Sequence, residues 1–212
     1  MTGPVVRPYR PSDRETVRRI SCDTAVYGEP IDSFFPDRRF VADALVEYYT
    51  AFEPVSLFVA ESDGAVVGYL TGCAQTRRYE RLFMLRILPC LMWRCTLRGH
   101  WFRGSFWRLA YVEVQATCRS FQVGRSVLIL YPAHCHMNME TGFRHAGIGT
   151  QLLEAFLSRL RAQGVPGIHI ITATEPGKEF FHKSGFSVLV RYPSPEAPGL
   201  DSREVWIMGK KI

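Results

Sequence analysis

Two periodicities of apolar residues run through this 212-residue chain and predict its elements. The opening stretch, residues 5–9, is short and extended, and Pro8, with no N–H to offer a neighbour, suits a sheet edge. Ser12 and Glu15 have the spacing of a capping box, and Val17 and Ile20 continue it with a helical step. Residues 27–32 read as a loop. Pro36 and Asp37 open a second helix, with Val41, Leu45, Tyr48 and Phe52 on one face. Residues 57–60 and 66–70 read as strands joined through Asp63-Gly64, a hairpin signal. Farther on, residues 127–130 and 133–139 form one extended region interrupted by Pro132. A glycine-containing turn at residues 144–150 leads into a helix with Leu152, Leu153, Phe156, Leu157 and Leu160 on an apolar stripe, ending at Gly164. Residues 168–173 then form a buried-type strand, 176–183 a short helix, and 186–192 and 205–208 two more strands. The order predicts an α/β (α+β) fold: a mixed, mostly antiparallel central sheet flanked by helices, with one strand–helix–strand crossover between residues 133 and 173.

Composition narrows the class. Hydrophobic residues at 47% and charged residues at 22% are ordinary globular usage and exclude a disordered chain. The length suffices for one sizeable core, so residues 1–212 read as a single domain. No apolar run approaches the roughly 20 residues that span a bilayer. The first residues lack the basic-then-apolar pattern of an export signal. Six cysteines (Cys22, Cys73, Cys90, Cys95, Cys118, Cys135) show no CxxC pair, so the expectation is reduced, mostly buried thiols in the cytoplasm, with the nucleus as an alternative.

Charge is concentrated in one place. Net charge is +6, yet residues 77–108 alone hold eight arginines against the single acid Glu80, which leaves the rest of the chain close to neutral. This arginine-rich segment belongs to an insert spanning approximately residues 76–126, broken by Pro89 and Gly99, with a helical stretch near 106–114. Trp93, Trp101, Phe102, Phe106 and Trp107 are interleaved with the arginines. Three readings compete: a nucleic-acid surface, a membrane-surface amphipathic helix, or a cover packed on the body with arginines snorkelling outward. The breaks at Pro89 and Gly99 weigh against an interfacial helix and no nucleic-acid recognition motif is present, so the cover is the working expectation.

The stretch that carries chemistry is His134-Cys135-His136-Met137-Asn138-Met139, followed after Glu140-Thr141-Gly142-Phe143 by Arg144-His145-Ala146-Gly147-Ile148-Gly149-Thr150. A strand here passes through a tight glycine turn into a helix. The first N–H groups of a helix lack intrahelical partners and sit at the positive end of its dipole. Gly147 and Gly149 remove side chains that would hold a ligand away, and Arg144 adds a cation. These features together suit a phosphate or pyrophosphate. Taken alone, RxxGxG also fits a strand-to-helix turn that needs glycine only for sterics. The Lys-Ser/Thr of a P-loop is missing, and residues 160–174 contain no acid for a dinucleotide fold.

In its setting, with a leucine-rich helix, a strand, a short helix and then Gly185-Phe186, this turn resembles that of the GNAT N-acetyltransferase superfamily. Residues 131–138, 28–32, 48–50 and 77–82 also resemble the acetyltransferase-like domains related to the C-terminal part of O-GlcNAcases. The resemblance implies acetyl-CoA or CoA as cofactor and an amine, on a small molecule or a protein, as acceptor. It implies pyrophosphate contacts from His145, Ala146, Gly147, Ile148, Gly149 and Thr150, with Arg144 beside them. Met137, Asn138 and Met139 would pair with the pantetheine arm, and an amide on this strand, with Asn138, would polarise the thioester carbonyl. The crossover strand would splay from its neighbour and open the cleft. Two positions depart from the pattern. Phe181 stands where the family often has a tyrosine that protonates the departing thiolate, and Thr174 where a cofactor-contacting asparagine is common.

His134 and His136 share a face of their strand, so one is a candidate base, set against a reading as core histidines. His136 is the expected base, and with Phe181 unable to donate, water, His182 or a nearby backbone dipole is left to assist thiolate departure. No third ligand completes a His-x-His metal site, and no metal is expected. Asp23, Glu29 and Asp32 border the expected acceptor side and read mainly as a solvated loop. The expected function is N-acetyl transfer. The alternative, favoured by Phe181, is a catalytically weak or inactive pseudo-acetyltransferase acting as a binding module.

Overall fold

The computed structural model describes residues 4–108, 110, 125–144, 147–193 and 204–212. Cys118, His145, Ala146 and most of the expected 106–114 helix lie outside the described residues. The first strand, β1 (Val5–Pro8), pairs antiparallel with β2 (Leu57–Ser62) and forms the sheet edge that Pro8 implied. Between them run helices α1 (Arg14–Asp23) and α2 (Arg38–Ala51). The expected Ser12–Glu15 capping box does not form. Pro11 starts a short 3-10 turn, and the Asp13 carboxylate accepts the Arg10 N–H at 2.8 Å and the Arg7 guanidinium at 2.7 and 3.0 Å. Asp37 caps α2 by accepting the Phe40 N–H. The buried arc of α2 is broader than the expected stripe. Phe40, Val41, Ala42, Val46, Tyr48 and Tyr49 are buried, whereas Leu45 and Phe52 are exposed, because α2 packs on α1 on one side and on the arginine-rich segment on the other.

The Asp63-Gly64 turn, both residues at positive φ, joins β2 to β3 (Ala65–Cys73). Two helices follow, α3 (Thr76–Leu82) and α4 (Leu88–Leu97), joined without interruption by a π-helical turn, Phe83–Ile87. The expected break at Pro89 is therefore absent. Pro89 sits in the first turn of α4, where its missing N–H costs least, and the chain ends the helix only at Gly99, at φ +62°. Residues 104–108 are helical.

Residues 127–130, expected as strand, belong instead to the short helix α5 (Arg125–Leu130); Pro132 separates it from β4 (Ala133–Met139). The carbonyl of Leu130 lies 2.4 Å from where a Gly167 Cβ would stand, so the helical turn seats against a glycine. The crossover runs from β4 through α6 (Ile148–Ala162) to β5 (Gly167–Thr172), which lies parallel to β4. Helix α7 (Glu175–Lys183) and strands β6 (Ser187–Pro193) and β7 (Glu204–Lys211) complete the sheet, in the order β1-β2-β3-β4-β5-β7-β6. The expected fold class stands. The described cysteines are unpaired, and all but Cys90 are buried. No described helix is long and apolar enough to cross a membrane.

Each face of the sheet has its own core. On one, α6 lies over β1, β2 and β3, and its Leu152, Leu153, Phe156, Leu157 and Leu160 share a core with Leu70, Cys135 and Ile170. Each such side chain contributes about 1.5–3 kcal/mol on removal from water. Phe156 reaches so close that a Cβ on Gly72 of β3 would fall 2.3 Å from its ring. On the other face, α1, α2 and the α3–α4 segment cover Tyr69 and His134, with Tyr49 of α2 turned inward against them. His134 is held at both nitrogens. Thr76 gives its hydroxyl proton to the Pro132 carbonyl, so its oxygen accepts from Nδ1–H of His134 at 2.7 Å. Nε2 is left to accept the Tyr49 hydroxyl at 2.8 Å. His169, also buried, directs Nδ1 to the Tyr131 carbonyl at 2.7 Å.

Two outcomes test this packing. Gly72→Ala drives a methyl into the Phe156 ring and lowers stability by about 1–3 kcal/mol in chemical denaturation. Gly142→Ala, whose Cβ meets open space, stays within about 0.5 kcal/mol of wild type. Burial holds His134 and His169 below the usual imidazole range, with neighbouring histidines adding to the effect at His134. The unfolded chain therefore binds protons first as pH falls below about 6.5. Stability is flat above that pH and declines below it, by up to roughly 1.4 kcal/mol per pH unit for each histidine. Unfolding measured between pH 7.5 and 5.5 shows this decline, and His134→Gln makes it shallower. Parallel curves for the two proteins contradict the assignment.

Candidate active site

Strands β4 and β5 pair through only two registers, Ala133 with Ile168 and His134 with His169. Each strand then continues with its other neighbour, β4 with β3 as far as Met139 and β5 with β7 as far as Thr172. The sheet opens between them. The opening is a cleft of about 1180 Å³, walled by β4, β5, the N-terminal ends of α6 and α7, and the loop after α1.

Where β4 borders this cleft its backbone has no strand partner among the described residues. Glu140 gives its N–H to Val67 on β3, so by strand alternation the polar backbone groups of Asn138 and His136 also face β3. Those of Met137 and Met139 face the cleft, with no described strand to receive them. The side chains divide the other way. Met137 and Met139 reach down to Gly149, where a Cβ would meet Met137 Sδ at 3.2 Å, Phe180 at 3.3 Å and Met139 Cε at 3.4 Å. His136 and Asn138 point to the opposite face of the sheet. Asn138 borders the cleft as His136 does, and its side-chain amide N–H donates to the Tyr69 hydroxyl at 3.0 Å, while its backbone groups face β3.

Helix α6 begins at Gly147, which takes φ +76° and lies exposed where a Cβ would meet nothing. No side chain caps this end, so the N–H groups of the first turn, at Ile148, Gly149 and Thr150, are not consumed by a side-chain cap. Gly147, Gly149 and Thr150 border the cleft, while Ile148 is buried. Arg144 also borders it, but its guanidinium bonds the Gly28 carbonyl at 3.2 Å and the Met139 carbonyl at 3.4 Å. It thereby ties the loop after α1 to the turn. Gly28 has φ +97°, and a Cβ there would lie 3.4 Å from that guanidinium.

The remaining expected residues separate. His136 looks into the cleft, and no described group hydrogen-bonds its ring. The side chain is open to solvent on the cleft side, and desolvation by the protein behind it, aided by His169, lowers its pKa, so the ring is neutral at ordinary pH. His134 is the core histidine described above. Thr174 caps α7 by accepting the Gly177 N–H at 3.3 Å. Phe181 borders the cleft from the core, its ring 5.0 Å from Phe180 and 5.2 Å from Phe186. His182 lies one step around the helix, exposed and outside the cleft lining. Cys135 lines the cleft too, but burial pushes its thiol up to about 12, which leaves no nucleophile. Asp23 and Asp32 are taken by Arg38, and Asp23 also by Arg19. No cluster of three metal-ligating side chains occurs among the described residues.

Sequence reading missed the far wall: Tyr27, Phe180, Glu204 and Trp206 all line the cleft. The Phe180-Phe181 pair was the one visible signal, since two adjacent aromatics on a short helix must face different surroundings. The insert packs on the body through Ile87, Leu91, Cys95 and Phe106, but of the three tryptophans expected there only Trp101, partly buried, joins them. Asp37 and Asp43 on α2 are nearly buried and need cations, so Arg98 and Arg94 turn inward to them while Trp93 and Trp107 stay outside.

No protein-family model matches the chain. Among solved structures, the crystal structure of SsHAT superposes with a TM-score of 0.71 at 26% identity, over 99% of this chain and 98% of that one. Ard1 from Thermoplasma volcanium superposes with a TM-score of 0.59 at 18% identity, over 100% and 99%. A GNAT superfamily phosphinothricin acetyltransferase from Sinorhizobium meliloti, in complex with acetyl-CoA, does so at 0.60 and 14% identity, over 99% and 88%. With its splayed parallel strands and the glycine turn at the head of α6, this chain has the fold of the GNAT acetyltransferases.

Proposed function

We propose that the cleft binds acetyl-CoA and that the protein is an N-acetyltransferase acting on an amine. The observation that carries this reading is the pairing of an uncapped helix N-terminus at Gly147 with two strand positions whose backbone groups face the opening. The residues present fit the cofactor. The open space over Gly147 admits a pyrophosphate against the first turn of α6, and the Met137 and Met139 backbones offer an extended arm the hydrogen bonds of a missing strand. His145 and Ala146 complete the turn in sequence, and Arg144 holds it against the loop after α1. The finer resemblance, to acetyltransferase-like domains related to O-GlcNAcases, belongs to the same proposal and is supported by the sequence stretches that carry it.

Acetyl-CoA supplies an activated thioester carbonyl, so the chain must orient the amine, receive a proton and stabilise developing negative charge. The cleft-facing N–H of Met139 or Met137 is placed to donate to that charge. His136 accepts an N–H of the neutral amine and takes up the proton as the new C–N bond makes that nitrogen acidic. Its low pKa makes it a poor base toward a free ammonium ion. The amine must therefore arrive unprotonated, and the rate rises with pH through the amine's own pKa. Phe181 offers no proton to the leaving thiolate, and His182 is turned away, so water must supply it.

Calorimetry and product analysis test the proposal together. Wild type binds CoA, and Gly147→Asp, which sets a carboxylate against the pyrophosphate, binds at least about tenfold more weakly. With a panel of amines, His136→Ala lowers kcat about 10²-fold while leaving CoA binding unchanged, and Phe181→Tyr raises kcat. Absent CoA binding, or equal binding by Gly147→Asp, overturns the cofactor assignment. Binding without acetylated product from any amine identifies a binding module instead.

A further inference from the structure

The outer surface of the α3–α4 segment is built unlike an ordinary solvated helix. Along α4 the buried residues Leu91 and Cys95 form the inward ridge against α2. Pro89, Trp93 and Leu97, each two positions away, lie on the opposite side, because two residues turn a helix by about 200°. A surface helix carries its charges there. Here Trp93 is 64% and Leu97 67% exposed, joined by Met84 and Leu85 (66%) on the π turn, by Phe102 (93%) and by Trp107. Exposed arginines occur along the same segment. Arg77, Arg78, Arg81, Arg86 and Arg103 are exposed and form no ion pair among the described residues, while Arg94 and Arg98 serve the acids of α2. The result is a segment whose outer side combines exposed apolar and tryptophan side chains with an excess of positive charge, Glu80 beside Arg77 being its one acid.

We propose that this face docks on an anionic lipid bilayer, lying in its interface without crossing it. Charge complementarity selects the occupant. A second copy of the same face would bring two sets of arginines together, which repel. A nucleic acid would answer the arginines but leave Met84, Leu85 and Leu97 in water. An anionic bilayer satisfies both sets: lipid phosphates and carboxylates take the arginines, and the headgroup–acyl boundary takes the aliphatic side chains and the amphipathic indoles. Continuity of the helix through Pro89 matters, because a break there would scatter the patch.

The test uses the full chain and sedimentation with phosphatidylcholine vesicles, with and without phosphatidylserine, while tryptophan emission is recorded. Wild type sediments with the anionic vesicles at least about tenfold better than with the neutral ones, its emission shifts to the blue, and added salt weakens the association. The triple change Arg77→Glu, Arg81→Glu, Arg86→Glu abolishes sedimentation. Trp93→Ser with Phe102→Ser reduces it about tenfold or more. All these side chains are exposed and form no salt bridge among the described residues, so circular dichroism and melting stay at wild-type values. No sedimentation with anionic vesicles overturns the proposal. So does unchanged sedimentation of the Trp93/Phe102 variant, preferential binding to a DNA or RNA duplex at the same salt, or dimerisation without lipid that shields Trp93.

Discussion

The parallel pairing of β4 with β5 lasts two residues, and the architecture of the site follows from where it stops. Had the ladder continued, Met137 and Met139 would spend their backbone groups on β5 and no cleft would exist. Stopping it costs several unsatisfied strand hydrogen bonds, a cost that a fold keeps only where a ligand or water replaces them. The two strands are held apart without strain because each is fully paired on its far side. Beneath the gap, Met137, Met139 and Phe180 converge on Gly149 and form a floor, which explains why that position has no side chain.

From this opening, the alternation of β4 divides the labour. Its backbone and one set of side chains serve the cofactor half of the cleft. The other set, His134, His136 and Asn138, faces the helices α1 and α2. Three polar residues of similar spacing thus receive three different fates. His134 is locked between Thr76 and Tyr49, Asn138 is tied to Tyr69, and His136 alone keeps its ring nitrogens for the cleft. Position on the strand decides which of two adjacent imidazoles can do chemistry. The same economy of acids and cations on α2 turns Arg94 and Arg98 inward, and so leaves the aromatic side of α4 outward.

Local signals in the sequence were sufficient where one short-range force dominates. The Asp63-Gly64 hairpin, the leucine stripe of α6, the glycine stop at Gly164 and the crossover were legible because turn sterics and helical periodicity need no distant partner. Errors came where a tertiary partner wins. The Ser12–Glu15 cap does not form because the chain turns at Pro11–Asp13, where Asp13 accepts from the Arg10 N–H and from Arg7 of β1. Residues 127–130 are apolar and β-branched enough for a strand, yet form a helical turn against Gly167. Pro89 looked like a break because a π turn ahead of it leaves no trace in periodicity. In the site, the glycine turn was legible from spacing. The engagement of Arg144 with Gly28 and the seclusion of His134 depend on contacts across 58 to 116 positions, and the far wall of Phe180, Glu204 and Trp206 on separate elements, which no local pattern encodes.

The central claim is that the gap between β4 and β5 receives the cofactor as a substitute strand. An amide correlation spectrum of the isotopically labelled protein, titrated with acetyl-CoA, tests it most directly. The account predicts that the largest shifts fall on Met137, Met139, Gly147, Gly149 and Thr150, with the Met137 and Met139 amides gaining protection from hydrogen exchange. Shifts confined to other surfaces, or Met137 and Met139 amides as open to exchange with the ligand as without it, would contradict it.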